Sequence, residues 1–482
     1  MVTIYGANSV SGYDVANSLR LNSGDSAQMN KTLGTATNVD KYTISMWVKR
    51  SRLAHRQMMM RVINPSSTST YAFLEFQSDD SIGTNDYDGS GSIAKVTHAK
   101  FRDPSAWYHI VLALDSTQGT ASNRSKLYVN GTQITSFGTD SGGSQNQNLM
   151  GNTSGKNIYI GGDGGQDTRY CGLYMAEVCF IDGQQLTPTS FGEFDEDSPT
   201  IWKPIDVSGL TFGNNGFYLD FEDSGNLGND VNGGTDLTEV NIAATDQTTD
   251  TCTNNFATLN PLDNYYFGGT LSEGNVKVVS VAGVESYITN TIPVSTGKWY
   301  WEIKTSASGG THASDEWNYI GVSNLSASAT DNILATSGTN SNKVYEYAIH
   351  GYDGDFYNNG DQGTYAASFT TGDILGIFLD LDNNRIYWSK NGQWADGSGN
   401  SDEADPNGYK SVTDPASTPG GFYFPAWGDG GTNVNKTWQL NFGGTPGFSV
   451  SSGNADPNGY GNFEYPTEGG YALCTKNLAE FG

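Results

Sequence analysis

The chain has 482 residues and carries 52 acidic against 25 basic side chains, a formal charge of -27. That balance repels phosphate backbones and anionic headgroups, and so argues against nucleic acid and anionic membrane surfaces as partners. With 61 glycines and 12% aromatic residues, the composition describes folded, turn-rich β structure in two or three domains rather than a disordered chain or a helical bundle.

Residues 1 to 15 are small and polar and read as a tail or attachment segment. Alternating apolar residues then mark strands at Ser18 to Met29 and Tyr42 to Ser51, the second with Ile44, Met46 and Val48 on one face and Trp47 on the other. Tyr71 to Gln77, Trp107 to Asp115, Ser125 to Ile134, Asn157 to Gly162 and Leu173 to Leu186 continue the series at the spacing of a sandwich. From 196 to 255 the text turns to Asn, Asp, Thr and Gly around one short strand, GFYLDFE, and reads as an irregular connector. Strands return between 256 and 450. The clearest unit is GDILGIFLDLDNNRIYWSKNG (Gly372 to Gly392), a hairpin whose first strand has apolar groups on both faces and so predicts two packed layers. Residues 451 to 482 form a C-terminal segment. The expected fold class is all-β: two antiparallel β-sandwich (jelly-roll) domains in tandem with an irregular connector.

Two stretches look familiar. SMWVKRS, WYHIVLALD, KLYVNGTQI, IGG and GLYMAEVCFIDGQQLTPTSF, in that order over residues 16 to 195, resemble the laminin G and concanavalin A-like jelly-roll superfamily. GKWYWEI, YIGVS, the hairpin above, FYFPAW and LNFG, spread through 256 to 450, resemble successive signatures of the SPRY (B30.2-like) domain. The SPRY resemblance implies a binding module without catalytic apparatus, its partners held by loops at one sandwich edge. The wording of the connector is similar to segments of structural proteins of marine tailed bacteriophages.

Chemistry-bearing motifs are scarce. GxSxG, GxxxxGK[ST], HExxH and GxGxxG do not occur. The acidic string EFDEDS (Glu193 to Ser198) ends in Ser where a paired-acid glycosidase strand needs Glu. The histidines His55, His98, His109, His312 and His350 are scattered, and His109 falls within a strand where packing is expected. Cys171, Cys179, Cys252 and Cys474 show no metal-ligand spacing and are expected as buried thiols. No apolar run of 18 residues and no leader-like start at Met1 to Ser18 is present, so neither a membrane span nor an export signal is expected.

Calcium is the cofactor these acidic loops would suit, with carboxylate and carbonyl oxygens as hard ligands. The jelly-roll resemblance implies such a loop-edge ion. Asp163 and Asp167 lie in GGDGGQDTRY, Asp86 and Asp88 in TNDYDGSG, and Asp353, Asp355 and Asp361 in GYDGDFYNNGDQG. Trp317, Tyr352, Tyr357, Trp394 and Trp427 fall in or beside loops where ring faces could stack on a ligand, whereas Trp299, Trp301 and Trp388 are expected in the core. ADPNGY occurs twice, at Ala404 to Tyr409 and Ala455 to Tyr460, as turn chemistry that would present Tyr409 and Tyr460.

The pairing of the two domains, the acidic Gly/Asn/Thr-rich text and the lack of a signal resemble structural proteins of marine tailed phages, and that resemblance implies a non-enzymatic tail-fibre or receptor-binding protein, recognising host-surface glycan or protein through sandwich-edge loops. The alternatives are a capsid decoration or head-fibre protein, and a glycan depolymerase. The expected setting is the virion surface after synthesis in the host cytoplasm, with other virion proteins as partners and a trimer by analogy.

Overall fold

The structure is a computed structural model and describes residues 12–64, 66–263, 269–308, 317–324, 334–338, 341–430 and 435–482. Of the N-terminal tail, residues 1–11 lie outside the described residues, as does His312. The chain divides into two units at Asn254 and Asn255, and each is almost wholly antiparallel β structure, with one short α-helix, Thr475–Phe481, among the described residues.

The first unit is a sandwich of two eight-stranded sheets. The strand Lys41–Arg50 pairs on one side with Trp107–Asp115 and on the other with Leu173–Asp182. Its alternation does what the sequence predicts. Ile44, Met46 and Val48 enter the main core beside Met60, Leu74 and Ile110, while Trp47 packs on the opposite face with Trp107, Tyr174 and Trp202. His109 is buried there between two hydrogen bonds, Nδ1 accepting from Trp202 Nε1 at 2.9 Å and Nε2 donating to Ser45 Oγ at 2.8 Å. Burial pushes its imidazole down to about 3, so it stays neutral. All four cysteines are buried free thiols.

The expected connector is part of this sandwich. Phe217–Leu219 pairs with Leu173–Asp182, Thr238–Val240 with Gln28–Thr32, and Gln247–Thr248 with Ser18–Leu21. A bulge between Ala176 and Cys179, with Glu177 at φ 51°, shifts the register of the long strand. Its first half therefore pairs with Ser18–Leu21 and its second half with Phe217–Leu219. Phe217, Leu219, Phe221, Leu227 and Leu237 join the main core. The apparent irregularity of 196–255 comes from short strands separated by turns, which carry too few alternating residues to show a period.

Two buried carboxyls give this unit a pH dependence. Asp86 accepts from Met150 N at 2.8 Å and Gly151 N at 2.9 Å, and Glu177 from Tyr218 Oη at 2.8 Å, yet burial pushes both carboxyls up to about 7. A raised pKa means that the folded chain holds the proton more tightly than the unfolded chain. The contribution is therefore full below the ordinary carboxylate range and is lost as the pH rises through about 7. Calorimetry at fixed ionic strength should show stability rising by about 1 kcal/mol per group from roughly pH 8 to 6. Glu177→Gln should remove its share of that slope, and an unchanged slope would refute the assignment.

Among the described residues, the second unit pairs a nine-stranded with a six-stranded sheet. In the first of these, Ile374–Asp380 runs antiparallel to Arg385–Lys390 in the register Leu375↔Lys390 to Asp380↔Arg385. Every residue of Ile374–Asp380 is buried. Leu375, Ile377 and Leu379 fill the main core with Trp299, Trp301 and Trp388, and Phe378 packs on the other face with Tyr300 and Phe463. Residues 451–482 supply that second cover. Tyr471 bridges to Trp299, and Cys474 to Phe256.

Candidate functional site

The six-stranded sheet ends in four successive strands, Asn318–Ser323, Tyr347–His350, Asp355–Tyr357 and Asp361–Thr364. Alternation sends Ile320, Val322, Tyr347, Ile349 and Phe356 inward and leaves Tyr319, Ala348, His350 and Tyr357 on the outer face. Tyr319 lies directly opposite His350 in register. Its ring stacks on the imidazole at 4.8 Å and 22°, and Tyr357 meets both rings edge-on, at 5.1 Å and 5.4 Å. Trp317 and Tyr352 close round the same imidazole at 6.3 Å and 6.2 Å. Both keep much of their surface in solvent, 47% and 42%.

The turn that carries Tyr352 is held tightly. Gly354 sits at φ 76°, and a Cβ there would lie 1.9 Å from Ala366 O, so only glycine fits. This turn aims Asp353 Oδ1 at His350 Nδ1, 2.8 Å away, where it also accepts from Asp355 N at 3.1 Å. His350 is 4% exposed, and its Nε2 makes no hydrogen bond among the described residues. Burial, followed by the charges of Asp353 and Asp361, pushes the Asp355 carboxyl up. Burial and all three aspartates likewise push the Tyr357 phenol up. The result is a patch of aromatic edges and faces bordered by carboxylates, an arrangement that favours a cation.

Trp317, Tyr352, Tyr357, Asp353, Asp355 and Asp361, expected as ligand or metal residues, thus come together in one place. His350 and Tyr319 complete the patch. Tyr319 sits within YIGVS, where strand periodicity hides which face it occupies. The other expected ligand residues lie elsewhere. Trp427 and Trp394 are 0% and 2% exposed, because sheet alternation turns them into packed layers, and they have no face to offer. Tyr409 is 44% exposed but covered on one side by the Arg385 guanidinium at 4.2 Å. Tyr460 is half-buried under Lys476. The two ADPNGY copies have different jobs. Asp405 is exposed, whereas Asp456 accepts from Asn458 N, Tyr460 N and Ala472 N, each at 2.9 Å, and organises the C-terminal segment.

The calcium expectation also changes. Among the described residues, no three acidic, histidine or cysteine side chains converge as a metal cage. Asp163 spends its carboxylate on Gly165 N, Asp167 N and Arg169 N, at 2.8 to 3.2 Å. Asp167 pairs with Arg169 at 3.0 Å and Arg61 at 3.5 Å, and guanidiniums in those positions repel a second cation. Asp86 takes backbone N–H groups, and Asp88 caps its own turn through Ser90 N and Gly91 N. Asp361 does the same through Gly363 N.

Residues 21–189 match the profile of the concanavalin A-like lectin/glucanases superfamily, in its laminin G group, and residues 298–401 match the SPRY domain. The chain carries a concanavalin A-like domain followed by a SPRY domain. Among curated proteins it is similar to Ran-binding protein 10 of Danio rerio, 30% identical over 147 residues, which are 27% of this chain and 21% of the relative. It is similar to Ran-binding protein 9 of Xenopus laevis, 31% identical over 137 residues, or 25% and 22%. The chain thus spans about a fifth of the length of these relatives. Among solved structures, the SPRY domain of human HERC1 aligns at 16% identity and TM-score 0.29, covering 38% of this chain and 96% of that one. Mouse laminin α1 domains LG4-5 align at 11% and 0.30, covering 96% and 97%.

These curated relatives are vertebrate proteins and not phage structural proteins. The tail-fibre reading, with its head-fibre and depolymerase alternatives, is overturned. The expectations of a virion location, virion partners and a trimer rested on it and go no further. The Asn/Thr/Gly wording of 196–255 belongs to short strands, separated by turns, that pair within the first unit.

Proposed function

We propose that the chain is a non-enzymatic binding protein whose SPRY domain holds a protein partner through the patch around His350, seating a lysine or arginine side chain between the exposed rings of Trp317 and Tyr352 and the carboxylates of Asp353 and Asp355. The observation that carries this reading is the convergence of four aromatic rings and the Asp353 carboxylate on one buried imidazole near the end of a sheet, with the charges of Asp355 and Asp361 beside them. Aromatic faces attract a cation, and the adjacent carboxylates supply charge-assisted hydrogen bonds. The relatives are named for binding a protein, Ran. That supports a protein as the class of ligand here. The absence of nucleophile, P-loop and zincin motifs from the sequence is in keeping with a role in binding.

An array of basic, neutral and acidic peptides probed with the full chain tests this directly. Basic peptides are expected to be retained, and binding should weaken as salt rises. Because Trp317 and Tyr352 are exposed, Trp317→Ala and Tyr352→Ala should leave the melting temperature nearly unchanged while each lowers affinity about tenfold. Equal retention of acidic peptides, or full binding by the double variant, would end the proposal.

A further inference from the structure

The repeated hexapeptide ADPNGY places one local sequence in two different surroundings, and each copy contains an Asn-Gly step. That step is chemically weak. Glycine has no Cβ to shield its backbone nitrogen, which can attack the side-chain amide of the asparagine before it. Asn-Gly occurs seven times in the chain, so the sequence alone does not rank the sites.

The structure does. Attack needs an asparagine side chain free to turn and a glycine N–H free to leave its hydrogen bond, and six of the seven pairs are tied at one or both. Asn130 Oδ1 accepts from His109 N at 2.8 Å, buried Asn215 is held by Gly34 and Asn152, and Asn391 is bonded through both Oδ1 and Nδ2, to Ile374 N and Asp373 Oδ1. Gly233 N donates to Asp230 O at 2.8 Å and Gly360 N to Ala335 O at 2.9 Å, which fixes the nitrogens that follow Asn232 and Asn359. In the second hexapeptide both ends are tied. Gly459 N donates to Asp456 O at 2.9 Å, and Asn458 Nδ2 donates to Asn477 Oδ1 at 3.0 Å and Glu480 Oε2 at 3.1 Å. The first copy is the exception. Asn407 is exposed, and among the described residues neither its side chain nor Gly408 N makes a hydrogen bond.

We propose that Asn407 is the principal deamidation site of this protein. Gly408 N forms a bond to Asn407 Cγ and gives up its proton as Nδ2 leaves as ammonia, closing a succinimide. Water then opens the ring at either carbonyl, leaving aspartate or isoaspartate at 407. The net change is water taken up and ammonia released, with no oxidant or reductant. Either product adds a negative charge beside Tyr409, whose ring lies against the Arg385 guanidinium at 4.2 Å. The isoaspartyl form also lengthens the main chain just ahead of Lys410–Ser411, the short strand that pairs with Arg385 and Ile386.

The full chain, held in mildly alkaline buffer and then digested, tests this by mass spectrometry with fragment-level localisation. Asn407 is expected to convert about tenfold or more faster than Asn458, because Asn458 must first open locally and release its hydrogen bonds. In denaturant, where only the shared local sequence remains, the two rates should converge. Asn407→Gln, at an exposed and unbonded side chain, should abolish the fast phase of ammonia release with an unchanged melt. The proposal falls if the two copies convert equally in the native chain, if their difference survives denaturation, if another Asn-Gly pair converts as fast as Asn407, or if Asn407→Gln leaves the fast phase in place.

Discussion

Replacing Asp80 with alanine is expected to destabilise the concanavalin A-like domain by about 3–5 kcal/mol, the penalty for removing one partner of a buried ion pair. Asp80 Oδ1 accepts from Arg50 Nη1 at 3.0 Å and Ala54 N at 2.7 Å, and Oδ2 from Arg102 Nε at 2.8 Å. The Arg50 side chain is 0% exposed and lies over the Phe76 ring at 4.2 Å. Without Asp80 its charge would face that ring with only the carbonyls of Phe101 and Arg52 as acceptors. A second cost comes from the backbone, since Asp80 sits at φ 65°, a region that Asn tolerates and Ala does not. Asp80→Asn separates the two terms, because it keeps the backbone preference and loses the charge. Chemical denaturation should place Asn between wild type and Ala. If Asp80→Ala unfolds within about 1 kcal/mol of wild type, the pair does not anchor the unit.

The second large effect is expected at Glu302. On the strand Lys298–Ser308, Trp299, Trp301 and Ile303 face the main core, and Glu302 points the other way, under the C-terminal segment. Its carboxylate accepts from Glu464 N at 2.9 Å, Tyr465 N at 2.8 Å, Asn441 Nδ2 at 3.1 Å and Tyr300 Oη at 3.1 Å. Glu302→Ala would take the acceptor from four donors, those of Tyr300 and Asn441 buried and those of Glu464 and Tyr465 part-buried, and a buried donor left unpaired costs about 1–3 kcal/mol. A loss of about 4 kcal/mol or more is therefore expected in the SPRY unit. Hydrogen exchange at the amides of Glu464 and Tyr465 should accelerate, and proteases should cut between 451 and 470. If truncation sites and exchange rates match wild type, the segment is held by Tyr471 and Phe463 packing instead.

Neither anchor could be found by reading along the chain. Glu302 lies within KWYWEIK, where a charged residue between aromatics reads as solvent-facing, and three of the four donors it satisfies are 139 to 163 residues away. Asp80 follows another aspartate in a turn, so nothing marks it as buried. By contrast, the hairpin at Gly372 to Gly392 states its own structure. Local alternation and the turn-forming Asn384, Asn391 and Gly392, all at positive φ, set its register with no help from distant residues. Trp299, Trp301 and Trp388 could be assigned to the core for the same reason, and His109 to packing.

The candidate site lies between these cases. The loop from Asp353 to Asp361 and the aromatics near it could be picked out individually, because exposed aspartates and rings in turn-rich text are a local signal. Their meeting round His350 depends on three strands pairing in one register, as do the outward turn of Tyr319 and the inward turn of Trp394 and Trp427. Arg56, Arg61 and Arg169 go further still: they are ordinary surface-looking residues until the fold brings them to one cleft, where positions 113 apart in the chain meet, as Cys171 Sγ and Met58 O do.

By itself, then, the sequence determined two β-sandwiches, their order and most of their inward faces, because side-chain period and turn chemistry act between near neighbours. Tertiary structure alone decided that 196–255 completes the first sandwich, that 451–482 covers a face of the second, and which polar residues meet. Those outcomes depend on contacts between distant parts of the chain, and a buried charge or a shared imidazole is recognisable only once its partners are in place.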